Sequence, residues 1–172
     1  MNVFLVGPMG SGKSAVGRQL AQRLALEFID SDAEIEARTG VDIAYIFERE
    51  GEAGFRSREA EVIDALSRRD RVLVSTGGGA ILDASTRERL RARGRVVYLR
   101  TSVDQQLART RRSNDRPLLD NPDPRGTLER LYEQRTPLYT EVAEIVVDTD
   151  GRKVKTVVDQ ICRQLGVDGP RP

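Results

Sequence analysis

The chain's 172 residues carry 28 Lys and Arg against 27 Asp and Glu, a net charge of +1, so the overall balance gives no reason to expect nucleic acid or an anionic membrane as partner. Histidine is absent, which excludes a His-based zinc site and a Ser-His triad, and the single cysteine, Cys162, cannot form an internal disulfide. With no apolar run near the roughly 18 residues that span a bilayer and no basic leader, the expectation is one soluble cytoplasmic domain over 1–172, a monomer acting on small partners.

In chain order, the apolar run Val3 to Val6 reads as a buried strand and leads into Gly7-Pro8-Met9-Gly10-Ser11-Gly12-Lys13-Ser14, then a helix with Val16, Leu20 and Leu24 on one face. Glu27 to Asp30 is a short strand, and Ser31-x-x-Glu34 reads as a capping box opening a helix that Gly40 ends. Ile43, Ile46 and Phe47 give a short helical face stopping near Gly51. A longer helix from about Glu52 to Arg69 carries Phe55, Val62, Ile63 and Leu66. Val72 to Val74 is a continuous apolar strand running into Gly77-Gly78-Gly79. Ser85-x-x-Glu88 reads as a second capping box, for a basic helix closed by Gly94. Val96 to Leu99 is the next strand, and Ser102-x-x-Gln105 caps the helix of Leu107. Periodicity fails from Arg111 to Arg125, which reads as a lid. Leu128, Leu131 and Tyr132 mark a helix to about Arg135, Glu144 to Val147 the last strand and Val154 to Leu165 the last helix, where Cys162 is a small apolar side chain; 166–172 is expected to fray. Alternating short apolar strands and helices predict an α/β fold with a parallel sheet, helices on both faces and ligands at the strands' carboxyl ends.

The glycine-rich octet is a complete phosphate-binding P-loop. Its backbone N–H groups curl around phosphate oxygens, Lys13 reaches the β- and γ-phosphates, and Ser14 offers a hydroxyl to Mg²⁺ at a helix N-terminus. Many P-loop proteins place a metal-holding Asp at the end of an apolar strand, but Val72-Leu73-Val74 is followed by Ser75 and Thr76, so the acid must come from elsewhere. Asp30 and Asp32, with period-2 spacing at a strand end, are the available pair: one to support the metal through water, one to orient a nucleophile. Without the P-loop, Asp32 would read as an ordinary acidic residue in a helix's first turn; beside the P-loop the functional reading is favoured. Arg56, at i, i+4 from Glu52 and i, i+3 from Glu59, reads on spacing as a surface ion pair. Arg116 is a cation that swings over the γ-phosphate or a solvated charge, and Arg109 and Arg135 are ambiguous by pattern.

The P-loop together with Asp30-Ser31-Asp32, Gly54-Phe55-Arg56, Gly77-Gly78-Gly79-Ala80, Arg116-Pro117-Leu118-Leu119 and Arg135-Thr136-Pro137-Leu138-Tyr139 resembles the shikimate kinase family from first strand to last helix. The resemblance implies transfer of the γ-phosphoryl group of ATP to the 3-hydroxyl of shikimate, with Mg²⁺, on the way to chorismate and aromatic amino acids. It implies the nucleoside monophosphate kinase fold, a five-stranded parallel sheet with a lid and a substrate-binding segment. Matched to the family's motifs, Gly10, Ser11, Gly12, Lys13, Ser14 and Ala15 hold phosphate, with Lys13 catalytic; Ser14 and Asp30 serve the metal. Asp32 contacts the acceptor hydroxyls as candidate base. Arg56 and Arg135 hold the acceptor carboxylate, Glu59 orients Arg56, and Gly78 and Gly79 lie beside the ring. Arg116 is the lid arginine, and Arg109 and Arg152 line the adenine. Ala15 departs from the Ser or Thr common at its place and leaves Ser14 intact. Two other readings are a P-loop kinase for gluconate or a nucleoside monophosphate, and a nucleotide-binding switch that transfers nothing; the intact Asp32, Arg116 and Arg135 speak against the switch.

Overall fold

Strands β1 (Val3–Val6), β2 (Glu27–Asp30), β3 (Val72–Ser75), β4 (Arg95–Arg100) and β5 (Ile145–Asp148) form one sheet in a computed structural model that describes residues 1–110 and 122–167. Every pairing is parallel and the order is β2-β3-β1-β4-β5, so β1 is central and the chain leaving it emerges between β3 and β4. The helices are α1 (Lys13–Leu24), α2 (Ser31–Thr39), α3 (Ile43–Ser67), α4 (Ala84–Arg93), α5 (Val103–Thr110), α6 (Pro124–Val142) and α7 (Val154–Leu165). Side chains alternate across the pleat. Val3, Leu5, Leu73, Val97, Leu99, Ile145 and Val147 pack on one face with Val16 and Leu20 of α1 and Val158, Ile161 and Cys162 of α7. Phe4, Val6, Val72, Val74, Val96 and Tyr98 pack on the other with Ile63 and Leu66 of α3, Leu90 of α4 and Val142 of α6. A sheet covered on both faces needs apolar residues at consecutive strand positions, which is why these strands read as unbroken apolar runs.

Several boundaries differ from the sequence reading. The cap of α2 is Asp30, whose Oδ1 accepts from the N–H groups of Asp32 and Ala33. Ser31 is instead buried in the first turn, with its Oγ accepting from the Gly77 N–H. The cap of α4 is Asp83, accepting from Thr86 N–H, so the helix starts before Ser85. Ser102 does act as expected, accepting from Gln105 N–H at 3.2 Å. The break near Gly51 is present as a kink (φ 70, ψ −177) inside α3, which ends at Ser67. Helix α6 starts at Pro124, with Asp123 accepting from Gly126 N–H, and runs through Pro137 to Val142. The loop assigned to 111–125 therefore gives up Pro124 and Arg125 to that helix, and its residues 111–121, Arg116 included, lie outside the described residues. Gly166 caps α7 in the left-handed conformation and Val167 packs on the core, so of the expected frayed tail only 168–172 lies beyond the described chain.

Candidate active site

The P-loop follows β1 because its glycines take positive φ, 149° at Gly7, 75° at Gly10 and 87° at Gly12, which leaves backbone N–H groups pointing inward ahead of α1. Lys13 folds over this loop, its Nζ donating to Gly7 O at 2.7 Å and Pro8 O at 2.8 Å. Asp30 pairs in register with Ser75 at the end of β3, which sets its carboxylate beside the start of α1, and Ser14 Oγ donates to Asp30 Oδ2 at 3.3 Å. Thr76, the residue after β3, spends its hydroxyl on Leu5 O. The two groups left near the P-loop, a hydroxyl and a carboxylate, are hard oxygen donors of the kind Mg²⁺ takes alongside water and phosphate.

The three glycines after β3 each face a charged side chain. A Cβ on Gly77 would lie 2.7 Å from Glu59 Oε2 and 3.0 Å from Asp32 Oδ1. On Gly78 it would lie 3.4 Å from Arg135 Nη1, and on Gly79 it would run into the Arg56 guanidinium. Arg56 comes from α3, where Glu59 Oε1 accepts from its Nη1 at 2.8 Å and Glu52 from its Nη2 at 3.4 Å. Arg135 comes from α6 and is 4% exposed. One turn further along α6, the Tyr139 hydroxyl donates to Gly78 O while its ring stacks on Tyr98 at 4.9 Å, which ties α6 to the glycine turn. Burial pushes the Tyr139 phenol well above its usual range, so it stays a donor. Burial also pushes the Glu59 carboxyl up to about 7; the neighbouring Arg56 opposes the shift and the Asp32 charge adds to it.

These groups line one cleft of about 1540 Å³, more than the roughly 300–1,000 Å³ usual for one ligand and so roomy enough for two substrates side by side. Gly10, Gly12, Lys13, Ser14, Ala15 and Arg109 line its P-loop end, and Asp32, Arg56, Gly78, Gly79 and Arg135 its glycine-turn end, with Asp30 also in the lining. Ser11 is buried beneath the loop. Arg109 donates to Gly10 O at 2.8 Å. Arg152 lies on the strand β5 side, donating to Asp148 O, and is not among the residues lining the cleft. Sequence reasoning did not pick out the apolar wall of Ile43, Phe47 and Phe55 opposite the glycine turn. Its signal was the short apolar face ahead of Gly51 and the Phe-Arg pair after it.

A family model for shikimate kinase matches residues 9–166, and a curated shikimate kinase of Shewanella amazonensis is 56% identical over 165 residues, 96% of each chain. The chain belongs to the shikimate kinase family. A solved shikimate kinase from Acinetobacter baumannii, in complex with shikimate, superposes with a TM-score of 0.93 at 48% identity over 95% of this chain and 92% of that one. A gluconokinase from Sinorhizobium meliloti shares the fold, with a TM-score of 0.57 and 19% identity over 96% of this chain and 91% of its own. As a shikimate kinase, the chain is an ATP-using enzyme that phosphorylates shikimate in aromatic biosynthesis.

Proposed function

We propose that the cleft carries the γ-phosphoryl group of ATP to the 3-hydroxyl of shikimate through a division of labour among the residues at the strand ends. The observation that supports this most is the glycine turn itself: two guanidinium groups and two carboxyl groups meet three consecutive glycines, facing the P-loop. Arg56 and Arg135 form two forks for the acceptor carboxylate, and the absence of Cβ atoms at Gly78 and Gly79 lets the ring lie against the backbone. Asp32 then hydrogen-bonds the hydroxyls and takes the 3-hydroxyl proton as the new O–P bond forms and the bond to the ADP oxygen breaks. Gly10 to Ala15 cradle the phosphates, and Lys13 turns from the loop carbonyls to the γ-phosphate, where it offsets charge in the transition state. Arg116 supplies a second cation there, and Arg109, which lines the cleft, flanks the adenine; Arg152, outside the cleft lining and bonded to Asp148 O, would have to turn from that carbonyl to join it.

Ser14 and Asp30 fit a magnesium site, Asp30 through water, and magnesium bound there would neutralise charge on the β- and γ-phosphate oxygens. We read the chain as one domain over 1–172, a monomer in the cytoplasm with neither nucleic acid nor membrane as partner. Among the described residues no helix is long and apolar enough to cross a bilayer. The test is ADP release with shikimate, quinate and gluconate as acceptors, followed by phosphorus and proton NMR of the product. The expected product is shikimate carrying phosphate at the 3-oxygen. A phosphate on another oxygen, or gluconate as the better acceptor, would refute the proposal.

A further inference from the structure

A second, much smaller cavity lies behind the glycine turn. It measures about 10 Å³, at the lower limit for one water molecule, and is lined by Pro8 and Met9 of the P-loop, Gln106 of α5, and Leu131, Tyr132, Arg135, Thr136 and Tyr139 of α6. Gln106 is 2% exposed and its Nε2 donates to Met9 O at 3.0 Å. That bond fixes the amide's orientation, since a carbonyl can only accept, and it leaves Oε1 as the group turned elsewhere. Gln106 Oε1 and Arg135 Nε are both buried, and neither has a hydrogen-bond partner among the described residues. One is an acceptor and the other a charged donor, in two residues that line the same cavity, where the Thr136 hydroxyl is a third buried group without a hydrogen-bond partner among the described residues. Unpartnered buried groups of this kind are costly, and one water can satisfy both, accepting from Arg135 Nε–H and donating to Gln106 Oε1.

We infer that Gln106 is a positioning residue for Arg135, acting through a single water held in the cavity between α5, α6 and the P-loop. The inference rests on the assignment of Arg135 to the acceptor carboxylate. A guanidinium is planar, so holding Nε fixes the plane of the whole group and keeps Nη1, beside Gly78, aimed at the acceptor. Gln106 also reaches the nucleotide side. Its Cα lies 3.4 Å from where a Cβ on Gly10 would stand, so α5 packs directly on the P-loop. The side chain thus bridges the loop that holds phosphate and the arginine that holds the acceptor.

The experiment pairs a high-resolution crystal structure of the wild-type enzyme with calorimetric titration of shikimate and of ADP into wild type and Gln106→Met, which keeps the length and apolar stem. The expected result is density for one water within hydrogen-bond distance of both Gln106 Oε1 and Arg135 Nε. In Gln106→Met that water should be missing. Shikimate affinity should fall about tenfold, the scale of one lost hydrogen bond to a charged group, and by several-fold more than ADP affinity, which the lost neutral bond to Met9 O lowers less. Absence of the water in the wild type would overturn the inference, and that reading does not depend on the variant folding. So would unchanged shikimate affinity, or losses of equal size for shikimate and ADP, which would mark Gln106 as a support of the P-loop alone. Wild-type enzyme that fails to bind shikimate would instead refute the acceptor assignment, with the density still deciding whether the water is present.

Discussion

Glu59 is the residue at which burial and function pull hardest against each other. It is 2% exposed, holds Arg56 at 2.8 Å and sits with Asp32 over Gly77. Keeping it charged in that place costs more than in water, and its pKa rises from 4.5 to about 7. The native state therefore holds a proton that the unfolded chain has released. The stability this contributes is complete below about pH 4.5 and lost as pH rises through about 7. Relative to Glu59→Gln, which has no proton to lose, the wild type should give up on the order of 3 kcal/mol between about pH 4.5 and pH 8. Denaturant unfolding of both proteins across that range checks it. A gap independent of pH would show that Glu59 ionises in the folded protein as it does in water.

At the scale of elements, α3 is bent where the site needs it. Gly51 takes φ 70 and ψ −177, a backbone region open essentially to glycine alone, and the turn lets one helix present Phe47 before the bend and Phe55, Arg56 and Glu59 after it. A Cβ on Gly51 meets nothing within 4 Å, so Gly51→Ala should destabilise through backbone strain only, by about 1–3 kcal/mol in denaturant unfolding. No loss of stability would mean the kink is not strained. This bend was legible in the sequence, because apolar spacing stopped at a glycine and resumed after it. The helix starts were less so. Both misplaced caps have an aspartate one or two residues before the serine that a capping box would use, Asp30 before Ser31 and Asp83 before Ser85, and in the first case the serine was taken by a tertiary bond to Gly77. Pro124 read as loop although proline suits the first turn of a helix, where its missing N–H costs nothing. Spacing alone reads Arg56 and Glu59 as a surface ion pair, whereas Glu59 is 2% exposed and the pair is turned into the cleft, which the i, i+3 interval cannot reveal. Nor was Gln106 legible, since its role depends on a cavity shared with α6, which spacing along α5 cannot reveal.

Across the whole molecule, function follows from strand order. Placing β1 between β3 and β4 brings the P-loop beside the glycine turn, and placing β2 against β3 brings Asp30 and Asp32 to the same end. Arg56 and Arg135 then arrive from two helices packed on one face, so the two guanidinium groups of the proposed acceptor grip come together from positions 79 residues apart. The sequence supplied each motif, and the resemblance to shikimate kinase assigned the roles; what only the fold supplied was the meeting of four ionisable side chains, Asp32, Arg56, Glu59 and Arg135, on three glycines. Each guanidinium fork to a carboxylate is worth roughly 1.5–3 kcal/mol when water is largely excluded. The most direct test of the account compares kcat/KM for shikimate and for its carboxamide in the wild type, Arg56→Ala and Arg135→Ala. The wild type should prefer the acid by about 10- to 100-fold, and the preference should shrink in each variant. An undiminished preference in both would contradict the account and place the acceptor carboxylate elsewhere.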